Sequence, residues 1–167
     1  MEIAIISDVH DNLINLDKVL YYLKQNKVKN LIFCGDLTSD ETLKWILENY
    51  DHRIDIVKGN ADNYILDNIS NNILYKKVNY FELSAVIKFD KVSIGFSHFP
   101  QIARNMIENK NLSYVFYGHT HKPWIEKMGN VILANPGNVA GINYLATFAI
   151  LDIKNTTLKL IKIDDIK

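Results

Sequence analysis

The N-terminal part of the chain alternates between short apolar runs and longer segments in which apolar residues recur every three or four positions. The short runs are rich in β-branched residues, a pattern typical of strands that are buried on both faces of a sheet. Such strands are predicted at residues 3–6, 31–34 and 54–57.

Helices are predicted between these strands. After Asn12, which suits an N-cap, apolar residues from Leu13 to Leu23 fall at helical spacing. Thr38 and Glu41 form a capping-box pattern that opens a second helix, which runs to about Asn49. This alternation of strands and helices predicts a parallel sheet with right-handed crossovers.

Beyond residue 70 the pattern changes to mostly strands, which predicts a second sheet. Asp90-Lys91 divides an apolar stretch into a hairpin, Gly129-Asn130 matches a tight turn, and a helix is predicted from Gln101 to about Asn109. The strands of this part are predicted at residues 85–89, 92–96, 114–117, 124–128, 131–134, 144–153 and 157–163. The whole pattern favours one domain, residues 1–167, in which two sheets pack together under outer helices.

The composition is that of an ordinary soluble globular protein, with 48% hydrophobic and 23% charged residues among 167. Nineteen basic and nineteen acidic residues cancel, so non-specific binding to nucleic acid or to an anionic membrane is not expected. The single cysteine, Cys34, excludes an internal disulfide, and no apolar run approaches the roughly 18 residues that span a bilayer. Because the opening residues also lack a signal-peptide pattern, we expect a cytoplasmic protein.

Five short polar fragments carry the candidate chemistry, and nearly every one follows a predicted strand directly. They are, in order, Asp8-Val9-His10, Gly35-Asp36, Gly59-Asn60, His98 and Gly118-His119-Thr120-His121. Residues two apart in an extended strand share a face, so Asp8 with His10, and His119 with His121, would each grip a common site. Loops at the carboxyl ends of strands converge on one crevice, and the three glycines let the backbone turn sharply there.

The residue types in these fragments indicate a metal site. Histidine, aspartate and asparagine ligands without a thiolate suit hard to borderline ions such as Mn²⁺, Fe²⁺, Zn²⁺ or Ni²⁺. The five fragments therefore predict a two-metal site.

The ordered fragments, together with Asn135-Pro136-Gly137-Asn138, resemble those of the calcineurin-like metallophosphoesterases, above all the small bacterial and archaeal phosphodiesterases of that superfamily. The resemblance spans residues 1 to 163 and implies an α/β fold, a four-layer α/β/β/α sandwich of two mostly mixed sheets flanked by helices. It also implies two ligand sets that share Asp36. One metal would be held by Asp8, His10, Asp36 and His121, and the other by Asp36, Asn60, His98 and His119.

The function that the resemblance implies is that of a metal-dependent phosphodiesterase acting on a small phosphodiester or nucleotide-like substrate. Two ions about 3.5–4 Å apart polarise a phosphoryl group and turn a shared water into a bridging hydroxide. With Asp8 and Asp36 as the carboxylates, the loaded site carries a net charge of about +1 and should attract a monoanion. Mn²⁺ is the expected ion, with Ni²⁺, Fe²⁺, Zn²⁺ and Mg²⁺ as alternatives, and a homo-oligomer is left open.

Three other functions remain as alternatives. The first is a phosphomonoesterase or nucleotide phosphatase. The second is a nuclease, which the neutral charge and the lack of an added domain disfavour. The third is a non-catalytic protein-binding scaffold of the same fold, as in a eukaryotic membrane-coat subunit, which the intact set of expected ligands disfavours.

The chain departs from the family pattern at two places. Many members carry histidine directly after Gly-Asn, where it is thought to protonate the leaving oxygen, whereas this chain has Ala61. General-acid help is worth about 10²–10⁴-fold, so we expect a preference for substrates with good leaving groups. The family often has His-Gly-His around the fourth fragment, whereas this chain reads His98-Phe99-Pro100.

The candidate catalytic residues are Asp36, Asn60 and Asp62, and Asp62 has the alternative role of capping the following turn. The candidate substrate-binding residues are Asn60, Phe99 and Asn12.

Several aromatic and basic residues adjoin the motif loops. Tyr64, Phe99 and Trp124 are candidates for stacking on a nucleobase, although packing in the core or at a rim is the commoner role of such residues. Lys122 and Arg104 are candidates for contact with a phosphate, with a solvated surface charge as the alternative.

Overall fold

The computed structural model describes residues 1–62, 76–108 and 111–167, and these residues form two sheets with helices on their outer faces. The strands are β1 (Glu2–Ile6), β2 (Asn30–Phe33), β3 (Arg53–Val57), β4 (Val78–Phe81), β5 (Ser84–Phe89), β6 (Val92–Ser97), β7 (Tyr114–Phe116), β8 (Trp124–Met128), β9 (Val131–Asn135), β10 (Thr147–Asp152) and β11 (Thr157–Lys162). The first sheet has the order β11-β10-β1-β2-β3-β4, and the second has the order β5-β6-β7-β9-β8.

Both sheets are mixed. Strands β1 to β4 pair in parallel, which confirms the predicted parallel sheet, and β10 and β11 complete it with antiparallel pairs. In the second sheet β6, β7 and β9 are parallel, while β5 and β8 form antiparallel edges. The hairpin at Asp90-Lys91 and the turn at Gly129-Asn130 are confirmed.

The layers follow from which face of each strand is buried. In β1, Ala4 and Ile6 pack under helices α1 (Leu13–Gln25) and α2 (Asp40–Asn49), whereas Ile3 and Ile5 face the second sheet, as the two-residue period of a strand requires. A third helix, α3 (Pro100–Glu108), covers the outer face of the second sheet, and a short 3-10 helix spans Ile163–Asp165. The predicted four-layer sandwich is thereby confirmed. Within the described ranges, none of the helices is long and apolar enough to cross a membrane.

Some predicted boundaries are wrong. The N-cap of α1 is Asn12, as predicted, but α2 is capped by Ser39, whose hydroxyl accepts from Thr42 N, and not by Thr38. Thr38 has a left-handed φ of 90° and cannot take the extended conformation of an N-cap.

Two further element ends differ from prediction. The third helix begins at Pro100, one residue early, and its predicted end at Asn109 lies outside the described residues. The strand predicted from Tyr144 begins at Thr147, because the residues before it form an exposed loop.

Candidate metal centre

Five loops deliver the candidate ligands, and each loop follows a strand: β1, β2, β3, β6 or β7. Backbone hydrogen bonds join neighbouring loops. Asp8 N donates to Gly35 O at 3.0 Å, Val9 N donates to Asp36 O at 2.9 Å, and Gly118 N donates to His98 O at 3.0 Å. The predicted convergence on one crevice is therefore present, and the backbone itself fixes it.

One group of side chains comprises Asp8, His10 and His121, whose ligand atoms lie within 4.8 Å of one another. His10 Nε2 and His121 Nε2 are 3.2 Å apart. Asp8 Oδ1 lies 3.3 Å from His121 Nε2 and 3.9 Å from His10 Nε2. Asp8 is fully buried, whereas the two imidazoles are partly exposed, so the group opens to solvent on its histidine side.

A second group forms around the Asn60 amide oxygen. Asn60 Oδ1 lies 2.9 Å from His98 Nε2 and 2.8 Å from His119 Nδ1, and these two ring nitrogens are 3.3 Å apart. His98 is fully buried, and its Nδ1 donates to the Cys34 carbonyl at 2.8 Å. In the neutral ring that bond leaves Nε2, which faces Asn60 Oδ1, as the nitrogen that could bind a metal ion.

Asp36 lies between the two groups. Its Oδ2 is 3.7 Å from His10 Nε2 and 3.4 Å from His98 Nε2, while Oδ1 accepts from Ala61 N at 2.7 Å. Its side chain is only 3% exposed. Asp36 is thus the carboxylate that both groups approach, as a bridging ligand would require.

The donor set fits divalent cations. In each group two imidazole nitrogens face each other at hydrogen-bonding distance, and two such lone pairs are held together only by a proton or a cation. Oxygen and imidazole donors suit first-row divalent ions, and the described part of the chain offers no thiolate there, since Cys34 presents only its carbonyl to His98.

The charges and hydrogen bonds of the two groups favour a bound cation. Burial alone would raise the pKa of Asp36, but hydrogen bonds from His98 and Ala61 and the charges of His98 and His10 lower it overall. Burial would lower the pKa of His98, but the hydrogen bond and charge of Asp36 raise it overall. The pKa of His121 is raised chiefly by its hydrogen bond to Asp8. The two buried carboxylates therefore favour positive charge on the imidazoles that face them, as they would favour a cation.

The backbone of the ligand-bearing loops adopts an unusual conformation. Left-handed φ angles recur at non-glycine residues in the ligand-bearing loops, a conformation that costs about 1–3 kcal/mol each and is concentrated at functional sites. These residues are Asp8 (φ 54°), His10 (43°), Asp11 (57°), Asp36 (61°), Thr38 (90°), His119 (65°) and His121 (60°).

This backbone corrects two sequence-based expectations. Asp8 and His10 do meet, but through a left-handed loop and not on one face of an extended strand. His119 and His121 diverge, since His119 approaches Asn60 and His98 while His121 approaches Asp8 and His10. Each of the two thus serves a different group.

Of the three motif glycines, only Gly35 has a left-handed backbone, with φ +91°, which a glycine adopts without strain. The other two are required by close approach. A Cβ at Gly59 would lie 2.1 Å from Asp36 Oδ1, and one at Gly118 would lie 1.9 Å from Ser7 Oγ. The glycines thus let the loops crowd together.

Three residues predicted to be catalytic or substrate-binding lie outside the two ligand groups, and each makes contacts of its own. Asp62 is buried, and its carboxylate accepts from backbone N–H groups of Asp36, Thr38 and Gly59, so it braces the loops. Both ends of the Asn12 amide are engaged, as it caps α1 and donates to Ala140 O. Phe99 is half-buried beside the site, with its ring centroid 5.0 Å from that of His98 and 5.1 Å from that of His119. Tyr64 lies outside the described residues.

Two buried asparagines support the site without having been predicted to do so. Asn135 Nδ2 donates to Gly118 O and Thr120 Oγ1, and Asn138 Nδ2 donates to His121 O. The signal was present in the Asn135-Pro136-Gly137-Asn138 motif, which indicated family likeness but not this role.

Known proteins share both the sequence pattern and the fold. The family model "Calcineurin-like phosphoesterase superfamily domain" matches residues 1–156. Phosphodiesterase MJ0936 of Methanocaldococcus jannaschii is 30% identical over 160 residues, which cover 91% of this chain and 93% of that protein.

Solved structures agree with this likeness. An archaeal phosphodiesterase superposes with a TM-score of 0.84 at 25% identity, covering 97% of this chain and 99% of that one. Wild-type Vps29 from Entamoeba histolytica, complexed with Zn²⁺, has a TM-score of 0.70 at 19% identity over 98% of this chain and 99% of its own. The second likeness shows the fold alone.

Proposed function

The chain belongs to the calcineurin-like phosphoesterase superfamily, and on that premise we propose that it is a metal-dependent phosphodiesterase whose active site is the candidate metal centre. The observation that carries the proposal is the position of Asp36, whose Oδ2 lies within 4 Å of a ring nitrogen from each histidine group. A single carboxylate placed between two imidazole pairs is the arrangement that a pair of ions sharing one ligand needs. The names of the relatives support the same class of reaction.

The ligands are proposed as two sets that share Asp36: Asp8, His10 and His121 on one side, and Asn60, His98 and His119 on the other. When bound, two divalent ions, Mn²⁺ by preference, polarise the phosphoryl group and supply an activated water as nucleophile. Ni²⁺, Fe²⁺, Zn²⁺ or Mg²⁺ would serve the same role.

The chain contributes position and charge. Asp8 and Asp36 are the carboxylates nearest the centre, and Asn60 is a neutral ligand, so the loaded site keeps a positive charge that favours an anionic phosphodiester. Cys34 O orients His98, and Asn138 holds the backbone of His121, so the imidazoles are fixed before substrate binds.

The position after Asn60 sets the expected substrate range. Ala61 gives its backbone N–H to Asp36 Oδ1, and its methyl side chain has no proton to donate to a leaving group. We therefore propose diesters with acidic leaving alcohols as substrates, in preference to simple alkyl monoesters.

The test is a metal-reconstitution assay. Protein stripped by a chelator is assayed on a chromogenic diester with Mn²⁺, Ni²⁺, Zn²⁺ or Mg²⁺, beside Asp36→Asn and the control Asp90→Asn, which changes an acidic residue in a distant hairpin turn. We expect metal-dependent turnover in the wild type and in the control, and a loss of at least about 100-fold in Asp36→Asn. If no metal restores turnover, the enzymatic proposal fails and a protein-binding scaffold is favoured. If Asp36→Asn turns over as fast as the wild type, the assignment of the active site to this metal centre fails.

A further inference from the structure

A groove of about 350 Å³ opens beside the loop that carries His119 and His121. Thr120, which lies between these two histidines, lines the groove, and Lys122, which follows His121, lines it as well. Consecutive Cα atoms are about 3.8 Å apart, so the groove begins within one residue of the metal centre. None of the residues that line the groove belongs to the two ligand sets described above.

Two aromatic side chains form the walls of this groove. Trp124 is 47% exposed and Tyr144 is 43% exposed, and both line it. Large aromatic faces left open beside a polar site are typical of ligand-binding surfaces. Tyr117, which is buried, lines the groove as well.

Both walls are tied to the metal centre. Trp124 begins β8 and pairs with Asn135, whose amide holds the Gly118–His121 loop. Tyr144 lies in the loop that Asn138 anchors, because Asn138 Oδ1 accepts from Ile142 N while its Nδ2 donates to His121 O. A ligand that touches both walls would therefore be held in a fixed position relative to the Gly118–His121 loop.

The charges of the groove leave one uncompensated cation. Arg104 pairs with Glu126 at 3.0 Å, so that charge is balanced. Lys122 Nζ lies 5.3 Å from the centroid of the Trp124 ring, and no carboxylate pairs with it among the described residues. Lys122 therefore supplies a cation beside the aromatic ring of Trp124, one residue along the chain from His121.

We propose that this groove binds a planar aromatic group, such as a nucleobase, of the phosphate ester that occupies the metal centre. The ring stacks against Trp124 and Tyr144, and Lys122 faces the anionic end of the ligand. The proposal rests on the proposed function and deepens it by naming the substrate class as nucleoside or aryl phosphate esters. Base–aromatic stacking of this kind strengthens binding by about 5- to 150-fold.

The test compares two sugar phosphates, one with a nucleobase and one without. Adenosine 5′-monophosphate and ribose 5-phosphate are titrated by calorimetry into Mn²⁺-loaded wild-type protein and into Trp124→Ala, Tyr144→Ala and Trp124→Phe. The matched control is Ile125→Ala, which removes an equally exposed apolar side chain next to Trp124 but outside the groove. We expect a preference for the nucleotide of roughly 10-fold or more in the wild type.

The variants should change that preference and not the binding of ribose 5-phosphate. Trp124→Ala and Tyr144→Ala should reduce the preference for the nucleotide at least about threefold, while Trp124→Phe and Ile125→Ala should keep most of that preference. Equal affinities for the two ligands in the wild type, or a full preference in Trp124→Ala, would overturn the proposal. Because the readout is binding, a protein that prefers the nucleotide but hydrolyses no diester would refute the proposed function and leave the groove assignment standing.

Discussion

The carboxylate of Asp62 holds the backbone of Asp36, since Asp62 Oδ2 accepts a hydrogen bond from Asp36 N at 3.1 Å. The same oxygen accepts from Gly59 N at 2.6 Å, and Oδ1 accepts from Thr38 N at 2.9 Å. One buried acidic side chain thereby joins the loops after β2 and β3, which carry Asp36 and Asn60. The spacing between these two candidate ligands depends on it.

Asp62→Asn should weaken metal binding. The substitution turns an amide NH₂ toward backbone donors, and a buried N–H left unpaired costs about 1–3 kcal/mol. Loss of such a support typically costs about 10–100-fold in metal affinity. We expect weaker Mn²⁺ binding by calorimetry, a lower Tm, and activity that recovers as Mn²⁺ is raised. Unchanged affinity with a lower kcat would instead indicate a catalytic role for Asp62.

His98→Ala and His121→Ala should each remove one ion. The two histidines lie in different groups around Asp36, so each variant leaves the other group intact. Elemental analysis should find about two ions per chain in the wild type and about one in each variant. His52→Ala, which changes a histidine outside both groups, is the control. A stoichiometry that stays at the wild-type value in both variants would contradict the assignment.

Thr38→Gly should stabilise the protein. Thr38 holds φ at 90°, which is strained for a β-branched residue, and its buried Oγ1 has no hydrogen-bond partner among the residues that the structure describes. Glycine relieves both costs and keeps the backbone N–H that donates to Asp62. After the entropic penalty of glycine, we expect a gain of about 1 kcal/mol in the free energy of unfolding in urea. Thr156→Gly, at another left-handed threonine, is the comparison, because it relieves the same strain but removes a hydroxyl that donates to Asn155 O, so its gain should be smaller. A destabilised Thr38→Gly would show that the Thr38 side chain matters in another way.

Metal should stabilise the protein more at higher pH. The pKa values of His98 and His121 are raised in the metal-free fold, so their protonation stabilises that fold below about pH 6.5, and the contribution is lost as the pH rises through the folded pKa. A metal ion needs the deprotonated ring. The Tm of metal-free protein should therefore fall between about pH 6 and pH 8, while the gain in Tm on adding Mn²⁺ grows. An equal gain at both pH values would argue against these histidines as ligands.

Turnover should depend steeply on the leaving group. Because Ala61 cannot donate a proton, the leaving alcohol departs unassisted, and log(kcat/KM) for a series of aryl diesters should fall as the pKa of the leaving phenol rises. Ala61→His should flatten this slope, with Ala61→Asn as the control for added bulk. A wild-type rate that does not vary with leaving-group pKa would contradict the role assigned to Ala61.

Hydrophobic patterning predicted the sandwich because strand and helix periods are properties of neighbouring residues. It misplaced the start of α2 because Thr38 takes its left-handed backbone from a contact with Asp62, which is far away along the chain. It began the tenth strand too early because Tyr144 and Leu145 are apolar residues that lie exposed in a loop.

The site was predictable in its residue types but not in its geometry. The order of the fragments indicated which residues converge, since loops at strand ends meet. The division of His119 and His121 between two groups depends on φ angles of 65° and 60°, which a pattern of residue types does not encode. The supporting role of Asp62 depends likewise on tertiary hydrogen bonds.

The left-handed loop residues bear on any attempt to transplant this centre into another scaffold. Copying the seven candidate ligand side chains onto ordinary strand ends would aim them in the wrong directions, because five of the seven residues have left-handed φ angles in these loops. A designer would have to carry over Gly35, Gly59 and Gly118, whose lack of a side chain lets the loops touch, and the Asp62 carboxylate that joins them. The loops and the hydrogen bonds between them would thus have to be transferred together with the candidate ligands that they position.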